Sequence, residues 1–446
     1  MEIWVSELSK YIISVLMVIY TLECFLAFSY KKERKNTLFY VRQWFYLFAV
    51  QFFAFFTLYV KVKQGEREDY TYPAIYIVTQ LLLILILSCT HLMYEQCNRL
   101  LLNNMCMLLG IGIIMLTRLA TTKAVRQLMI MTVSFLLGLL VVFLMEKGKN
   151  FRKMGILYLL VGVLLLAVVL VLGNVTSGSK LSLTFRGITF QPSEPVKLLF
   201  LFYLASFLAE KTDFKRVVLV SIGAAAHVLL LVAERDLGSA LIFFMTYLCV
   251  LFMATNSYLY LTLGIAGLCG GAVAAYKIFR HVRVRVQAWW NPFAYIDNQG
   301  FQIAQSLFSI GAGGWFGLGL MNGGPEDIPY VETDFIFSAI CEEMGIVTGI
   351  CILLISVSSF LMMMQIGLKT EDKFYKLICL GGAVTYLFQI FLTIGGGIKF
   401  IPLTGVTLPF ISYGGSSLFT SILLFYLMQA VYIRYRKEGG HCLEKA

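Results

Sequence analysis

The string Glu234-Arg235-Asp236-Leu237-Gly238-Ser239 sets three charges between two apolar runs. A carboxylate there suits general-base work, because Arg235 favours its ionised form while Glu234 and an apolar edge oppose it. The plainer reading is a turn in which Asp236 and Ser239 start the next helix, where an acidic group suits the positive helix end. Gln191-Pro192-Ser193-Glu194-Pro195-Val196-Lys197 reads as another helix start, with Ser193 as cap and Pro195 in the first turn. Glu194 and Lys197 lie three apart on one helix face and can pair. A Lys entering an apolar run also suits the binding of an anion.

Arg280, Arg283 and Arg285 precede Trp289-Trp290-Asn291-Pro292. Such basic and aromatic segments lie among lipid headgroups, and guanidinium forks match the oxygens of a lipid diphosphate. Gly311, Gly313, Gly314, Gly317 and Gly319 follow no strand and spell no dinucleotide fingerprint, so they predict tight turns or a re-entrant stretch. Asp334, Glu342 and Glu343 open and enter an apolar run, where acids are functional or paired. Lys197 and Lys399 are the partners considered for them. Pro402-Leu403-Thr404-Gly405, Pro409-Phe410 and Ser412-Tyr413-Gly414-Gly415-Ser416-Ser417 break another such run. Irregular backbone at membrane depth must be buried in protein or line a polar cavity.

The elements that position these strings follow from composition. Of 446 residues, 59% are hydrophobic and 14% charged, and mean hydropathy is +0.80. Soluble chains run nearer half apolar and about a quarter charged. The expectation is an all-α polytopic membrane protein, which excludes a soluble enzyme, a disordered chain and a nucleic-acid-binding domain. The 36 Lys and Arg form short clusters between apolar runs rather than one patch. Ten cysteines without a C-x-x-C pair and four scattered histidines predict neither a disulfide framework nor a zinc site.

About 20 apolar residues cross a bilayer as a helix, and the sequence offers thirteen such runs. The seventh lies near 195–209. The eleventh, near 335–366, is too long for one straight span and contains Gly345 and Gly349, which predicts a tilt, a kink or an extension. Basic residues concentrate after the first run (Lys31, Lys32, Arg34, Lys35, Arg42), at Lys147, Lys149, Arg152 and Lys153, at Lys211–Arg216, at Lys369–Lys376, and from Arg434 to Lys445. That side is expected in the cytoplasm, with the N-terminus outside and the C-terminus inside. Arg118, Lys123 and Arg126 form the discordant cluster on the outer side. Residues 174–194, 234–236, 280–334 and 399–408 then all face outward.

In order along the chain, five strings resemble the SEDS family, the RodA/FtsW-type polytopic proteins of shape, elongation, division and sporulation. They are Gln191-Pro-Ser-Glu194, Asp236-Leu-Gly238, Gly300-Phe-Gln302, Thr333-Asp334-Phe-Ile-Phe337 with Glu342-Glu343, and Thr404-Gly405 through Ser417. The resemblance covers roughly residues 98–433. It implies a ten-helix SEDS-like core over 96–435 with a large outer loop at 280–334, about three extra N-terminal transmembrane helices in 1–95, and a cytoplasmic tail at 436–446.

The implied activity is a peptidoglycan glycosyltransferase that polymerises lipid II on the outer face of the cytoplasmic membrane, in elongation, division or sporulation. Implied partners are lipid II, the undecaprenyl-linked glycan strand and a class B penicillin-binding protein, with no nucleic acid. Asp236 falls on the family's catalytic acid in its Q-P-D-x-G string, Glu194 on its Q-P-S-E glutamate, and Arg285 on its Arg before the N/D-P step. Lys197, Arg283, Gln302, Asp334, Glu342, Glu343, Lys399, Thr404, Ser412, Ser416 and Ser417 complete the expected substrate-binding set. Three departures stand out: Glu234-Arg235 where the family has Gln-Pro, Tyr330 and Glu332 where many members have Glu and His, and Gly178-Ser179-Lys180-Leu181-Ser182 without the family's tryptophan.

In the expected mechanism, Asp236 takes the proton from the C4 hydroxyl of an acceptor sugar, which attacks the anomeric carbon of a lipid-linked donor. Charge growing on undecaprenyl pyrophosphate calls for fixed cations or a divalent metal, Mg²⁺ or Mn²⁺. Arg283 and Arg285 are the first candidates and Lys197 the third. The rival readings are a lipid II flippase or transporter, whose broken helices and buried acids look alike, and a non-catalytic division scaffold.

Overall fold

The computed structural model describes residues 2–29, 33–62, 70–148, 150–176, 179–185 and 188–443. Lys31, Lys32, Lys149, Gly178 and Lys445 lie outside them. Three helices come first, α1 (Glu2–Ser29), α2 (Glu33–Val62) and α3 (Thr71–Met93), then α4 (Arg99–Leu119), α5 (Thr121–Lys147) and α6 (Gly155–Leu172). After a small sheet follow α7 (Ser193–Leu208), α8 (Phe214–Ala233), α9 (Leu237–Thr255) and α10 (Tyr258–Ile278). The long loop that follows carries α11 (Arg280–Trp290) and α12 (Phe301–Gly313), and α13 (Ile336–Lys369), α14 (Lys373–Gly397) and α15 (Gly415–Leu443) complete the bundle.

Twelve of these helices are long and apolar enough to cross a membrane, one fewer than the thirteen runs predicted. The exception is α7, whose 16 residues reach about 24 Å against a hydrocarbon core of about 30 Å. Its first turn carries Ser193 and Glu194, both buried inside the protein. Helix α4 sits at the centre, with its whole apolar window buried, as suits a helix hydrophobic on every side.

The all-α reading also omitted a three-stranded antiparallel sheet, β1 (Asn174–Thr176), β2 (Ser179–Phe185) and β3 (Ile188–Phe190), ordered β1-β2-β3. Leu183 pairs with Phe190 and Phe185 with Ile188, and the hairpin delivers the chain to Gln191. Lys180-Leu-Ser-Leu-Thr-Phe185 alternates polar and apolar residues, the period of a half-buried strand.

Long helix α13 breaks at Gly345, where φ is 87° and ψ 161°. The break admits residues 314–319 as a strand-like partner. Leu318 and Gly319 N–H donate to the carbonyls of Glu342 and Glu343 at 2.9 Å each, and Ile346 and Val347 N–H donate to Gly314 and Trp315 at 3.0 and 3.1 Å. The glycine-rich stretch therefore makes tight turns against a kinked span. A Cβ on Gly345 would stand 2.4 Å from the Trp315 carbonyl oxygen, in a backbone region that L side chains avoid. Gly345→Ala should destabilise the protein by about 1–3 kcal/mol, read as a lower melting temperature in detergent. A melting temperature equal to the parent's would show that α13 can relax there.

Polar strings gather at one end of the bundle. Ser6 and Lys61, at the ends of α1 and α2, reach Asn322, and Gln191 meets Ser416 there. At the other end Arg99 meets His91, Arg216 meets Glu210, and Lys437 meets Glu146. Two of the three discordant cations, Arg118 and Lys123, are matched within the protein. Arg118 Nε donates to Glu343 Oε1 at 2.9 Å and also pairs with Glu326, while Lys123 pairs with Glu332.

Helices α1 and α2 join the rest through buried polar contacts. Tyr20 Oη donates to Asn104 Oδ1 at 3.1 Å, whose Nδ2 donates to Ser359 Oγ on α13, also at 3.1 Å. Trp44 Nε1 donates to Asn103 Oδ1 at 2.9 Å. Such contacts fix the register of helices whose apolar faces alone would slide.

Candidate functional site

The turn between α8 and α9 is a Schellman motif. Asp236 N–H donates to the Leu231 carbonyl at 2.9 Å and Arg235 N–H to that of Val232 at 3.1 Å. Arg235 takes the left-handed position, φ 65°, that glycine usually fills. This reversal leaves Asp236 as the N-cap of α9. Its Oδ1 accepts from Ser239 N–H at 3.0 Å, as the plainer sequence reading has it. Its other oxygen is turned elsewhere: Oδ2 accepts from Gln191 Nε2 at 3.3 Å and Ser193 Oγ at 3.4 Å. Capping thus fixes the carboxylate in place while one oxygen remains for chemistry.

Three further segments meet at this turn. Gln191 N–H donates to Ser416 Oγ at 2.9 Å, binding the start of α7 to the start of α15. A Cβ on Gly238 would stand 3.0 Å from the Thr404 carbonyl oxygen, and that carbonyl accepts from Arg285 Nη1 at 3.2 Å. Gly405, φ 76°, faces Arg285 Nη2 and Asp334 Oδ2, at 3.8 and 3.9 Å from its notional Cβ. Withdrawal from water pushes Asp334 up to about 6, with the nearby Arg285 charge opposing the rise. Arg285 is held below its ordinary value by its own burial, against the pull of Asp334 and Asp236. Arg285 is a half-buried cation whose two acidic neighbours offset only part of the cost of withdrawing it from water.

Other expected residues lie apart from this cluster. Arg283 is exposed; two positions along helix α11 it points about 200° away from Arg285, so only one of the two can face inward. Glu342 Oε1 accepts from Gly324 N–H at 2.8 Å, and Glu343 holds Arg118. These acids therefore pin residues 317–326 against α13, and neither Lys197 nor Lys399 is their partner. Lys197, 4% exposed, donates to Glu194 Oε1 at 2.9 Å and Gln389 Oε1 at 2.8 Å. Gln389 in turn donates to Ser417 Oγ at 3.1 Å, so this pair ties α7 to α14 and α15 beneath the Asp236 turn. Ser412 Oγ donates to the Thr333 carbonyl at 2.5 Å and accepts from Leu408 N–H at 2.9 Å, which fixes the segment carrying Asp334. Lys399 accepts from Trp289 Nε1 through its carbonyl at 3.1 Å. Gln302 is half-buried in the first turn of α12, outside the hydrogen-bonded group.

The residues missing from the sequence-derived set are those that orient the carboxylate. Gln191 and Ser193 touch Asp236 directly, and Gln389 couples Lys197 to Ser417. A glutamine inside an apolar span was the available signal for Gln389. Among the described residues, no group of three or more His, Cys, Asp or Glu is placed to hold a metal ion. Arg285 is a cation on which the Asp236 charge acts.

The chain matches the family model described as cell cycle protein, FTSW_RODA_SPOVE, over residues 97–437. It is 33% identical over 360 residues to the peptidoglycan glycosyltransferase RodA of Mycobacterium leprae, covering 75% of this chain and 76% of that one. It is 34% identical over 283 residues to the stage V sporulation protein E of Bacillus subtilis, covering 60% and 76%. A solved chain from work on the structural coordination of polymerization and crosslinking by a peptidoglycan synthase complex superposes with a TM-score of 0.65 at 25% identity, over 76% of this chain and 98% of that one.

Proposed function

Because the chain belongs to the FtsW/RodA/SpoVE family of cell cycle proteins, we propose that it is a peptidoglycan glycosyltransferase that polymerises lipid II, with Asp236 as general base. It is a multi-pass membrane protein. The observation carrying the mechanism is the Asp236 carboxylate itself. One of its oxygens is committed to capping α9, and the other sits between Gln191, Ser193 and the charge of Arg285.

In this reading Asp236 takes the proton of the C4 hydroxyl on the acceptor sugar. The oxygen bonds to the anomeric carbon of a lipid-linked donor, and the bond from that carbon to undecaprenyl pyrophosphate breaks. Arg285 meets the negative charge that grows on the departing diphosphate, where a preorganised cation acts without solvent reorganisation. Asp334 near pKa 6 is largely ionised at neutral pH and keeps the guanidinium aimed at the Thr404–Gly405 wall. The site lies at the end of the bundle opposite the Lys437 and Arg216 ion pairs. That supports an outer-face reaction with the N-terminus outside and the C-terminus in the cytoplasm. Likeness to a chain from a complex that joins polymerization and crosslinking supports a class B penicillin-binding protein as partner.

Purified protein in liposomes, given lipid II with and without that partner and its products sized on a gel, tests the assignment. Glycan strands lengthening with time are expected. Movement of lipid II between leaflets without lengthening would instead make the chain a flippase, and neither activity would make it a scaffold.

A further inference from the structure

Glu234 is 2% exposed, and its Oε1 is buried without a hydrogen-bond partner. It caps the C-terminal end of α8, where the helix dipole disfavours a negative charge. The Schellman turn holds it two residues from Asp236, so one carboxyl lies inside the protein while the other is hydrogen-bonded on both oxygens. Two acids confined to one tight buried turn do not ionise independently, because like charges in a poorly solvated site repel.

We propose that Glu234 is a second carboxyl of the catalytic centre, a positioning residue that shares one proton with Asp236 and gives polymerisation an alkaline limit. This rests on Asp236 being the base. At neutral pH the pair carries one negative charge, and Asp236, with its three donors, is the member that holds it. When the C4 hydroxyl is deprotonated, its proton arrives on Asp236 and the pair briefly holds two. Neutral Asp236 no longer repels a charge on Glu234, so one proton passes on to water and the pair resets. Meanwhile the oxygen–anomeric carbon bond has formed and the bond to the diphosphate has broken. If Glu234 is ionised beforehand, a second negative charge stands where an anionic lipid diphosphate must dock.

The charged and titratable groups around the turn are Arg235 and Asp236 on it, His281 and Arg285 on α11, Asp334 in the outer loop, and Glu194 and Lys197 on α7. Burial first, and the Asp236 charge second, push the Glu234 carboxyl up to about 8. His281 is held below its ordinary value by burial and by the charges of Arg285 and Arg235. With Asp334 at about 6, both finish titrating on the acid side of that range.

The test compares initial rates of lipid II polymerisation at pH 7 and pH 9 for the full chain in liposomes. With Glu234 ionising near pH 8, its neutral fraction falls about tenfold between those values, and the parental rate should fall with it. In Glu234→Gln the ratio of the two rates should move to near one. Glu234→Asp, which keeps a carboxyl one methylene further back, should restore an alkaline limb at a shifted pH. An unchanged limb in Glu234→Gln overturns the proposal; should that variant not fold, an unshifted limb in Glu234→Asp does the same. Failure of the base assignment looks different, since Asp236→Asn would then be active at both pH values.

Discussion

Asp236→Asn is expected to lose polymerisation by about 10²–10⁴-fold, the range that a positioned general base supplies, while the protein folds as before. The amide keeps the volume of the carboxylate, and its oxygen can still accept from Ser239 N–H as the cap of α9. Its basicity is gone, and its NH₂ now points at Gln191 Nε2 and Ser193 Oγ. Loss of rate at parental melting temperature in detergent separates chemistry from stability. A parental rate in the variant would place the base elsewhere and remove the mechanism with it.

Arg285→Ala should carry the second largest effect, a fall of about 10²–10³-fold in kcat, comparable to removing one fixed donor from a site of developing charge. Among the described residues the guanidinium's hydrogen bond is to the Thr404 carbonyl, so little of the fold hangs on it directly. Nor does the change strand a buried charge. Arg285 is what opposes the upward shift of Asp334, so without it Asp334 rises further above about 6 and gains a proton. Arg285→Lys restores the charge but not the planar fork, and should recover part of the rate. If Arg285→Ala raised KM for lipid II and left kcat unchanged, Arg285 would bind the diphosphate equally in ground and transition states.

Much of this architecture was legible because hydropathy and charge act locally. Twelve spans, the break near Gly345 and the gathering of the polar strings at one end of the bundle follow from runs, glycines and loop cations that a reader can count. Helix α7, at 16 residues, is the shortest of the helices on the thirteen predicted runs, and its first turn carries the buried Ser193 and Glu194. The small sheet is also written in the alternation of residues 180–185, within the stretch 174–194 that the sequence offers as an outward-facing loop.

Partner choice was legible within one helix turn, where Glu194 and Lys197 pair as their spacing allows, but not between distant segments. Glu343 looked open to Lys197 or Lys399, yet it pairs with Arg118, 225 positions earlier. Lys197 turned from anion-binding candidate to buried tie because Glu194 and Gln389 stand within reach. Composition cannot rank three cations for three acids; only packing brings one of them close.

The sequence by itself determined a helical membrane protein, its family likeness and the acids and arginines available for chemistry, because residue type, spacing and apolar length are local properties. Tertiary structure alone decided which arginine turns inward, which oxygen of Asp236 stays clear of the helix cap, and that Glu234 is buried beside it. Those outcomes depend on helix phase and on contacts between segments far apart in the chain, where a rotation of one residue moves a side chain from solvent to the site.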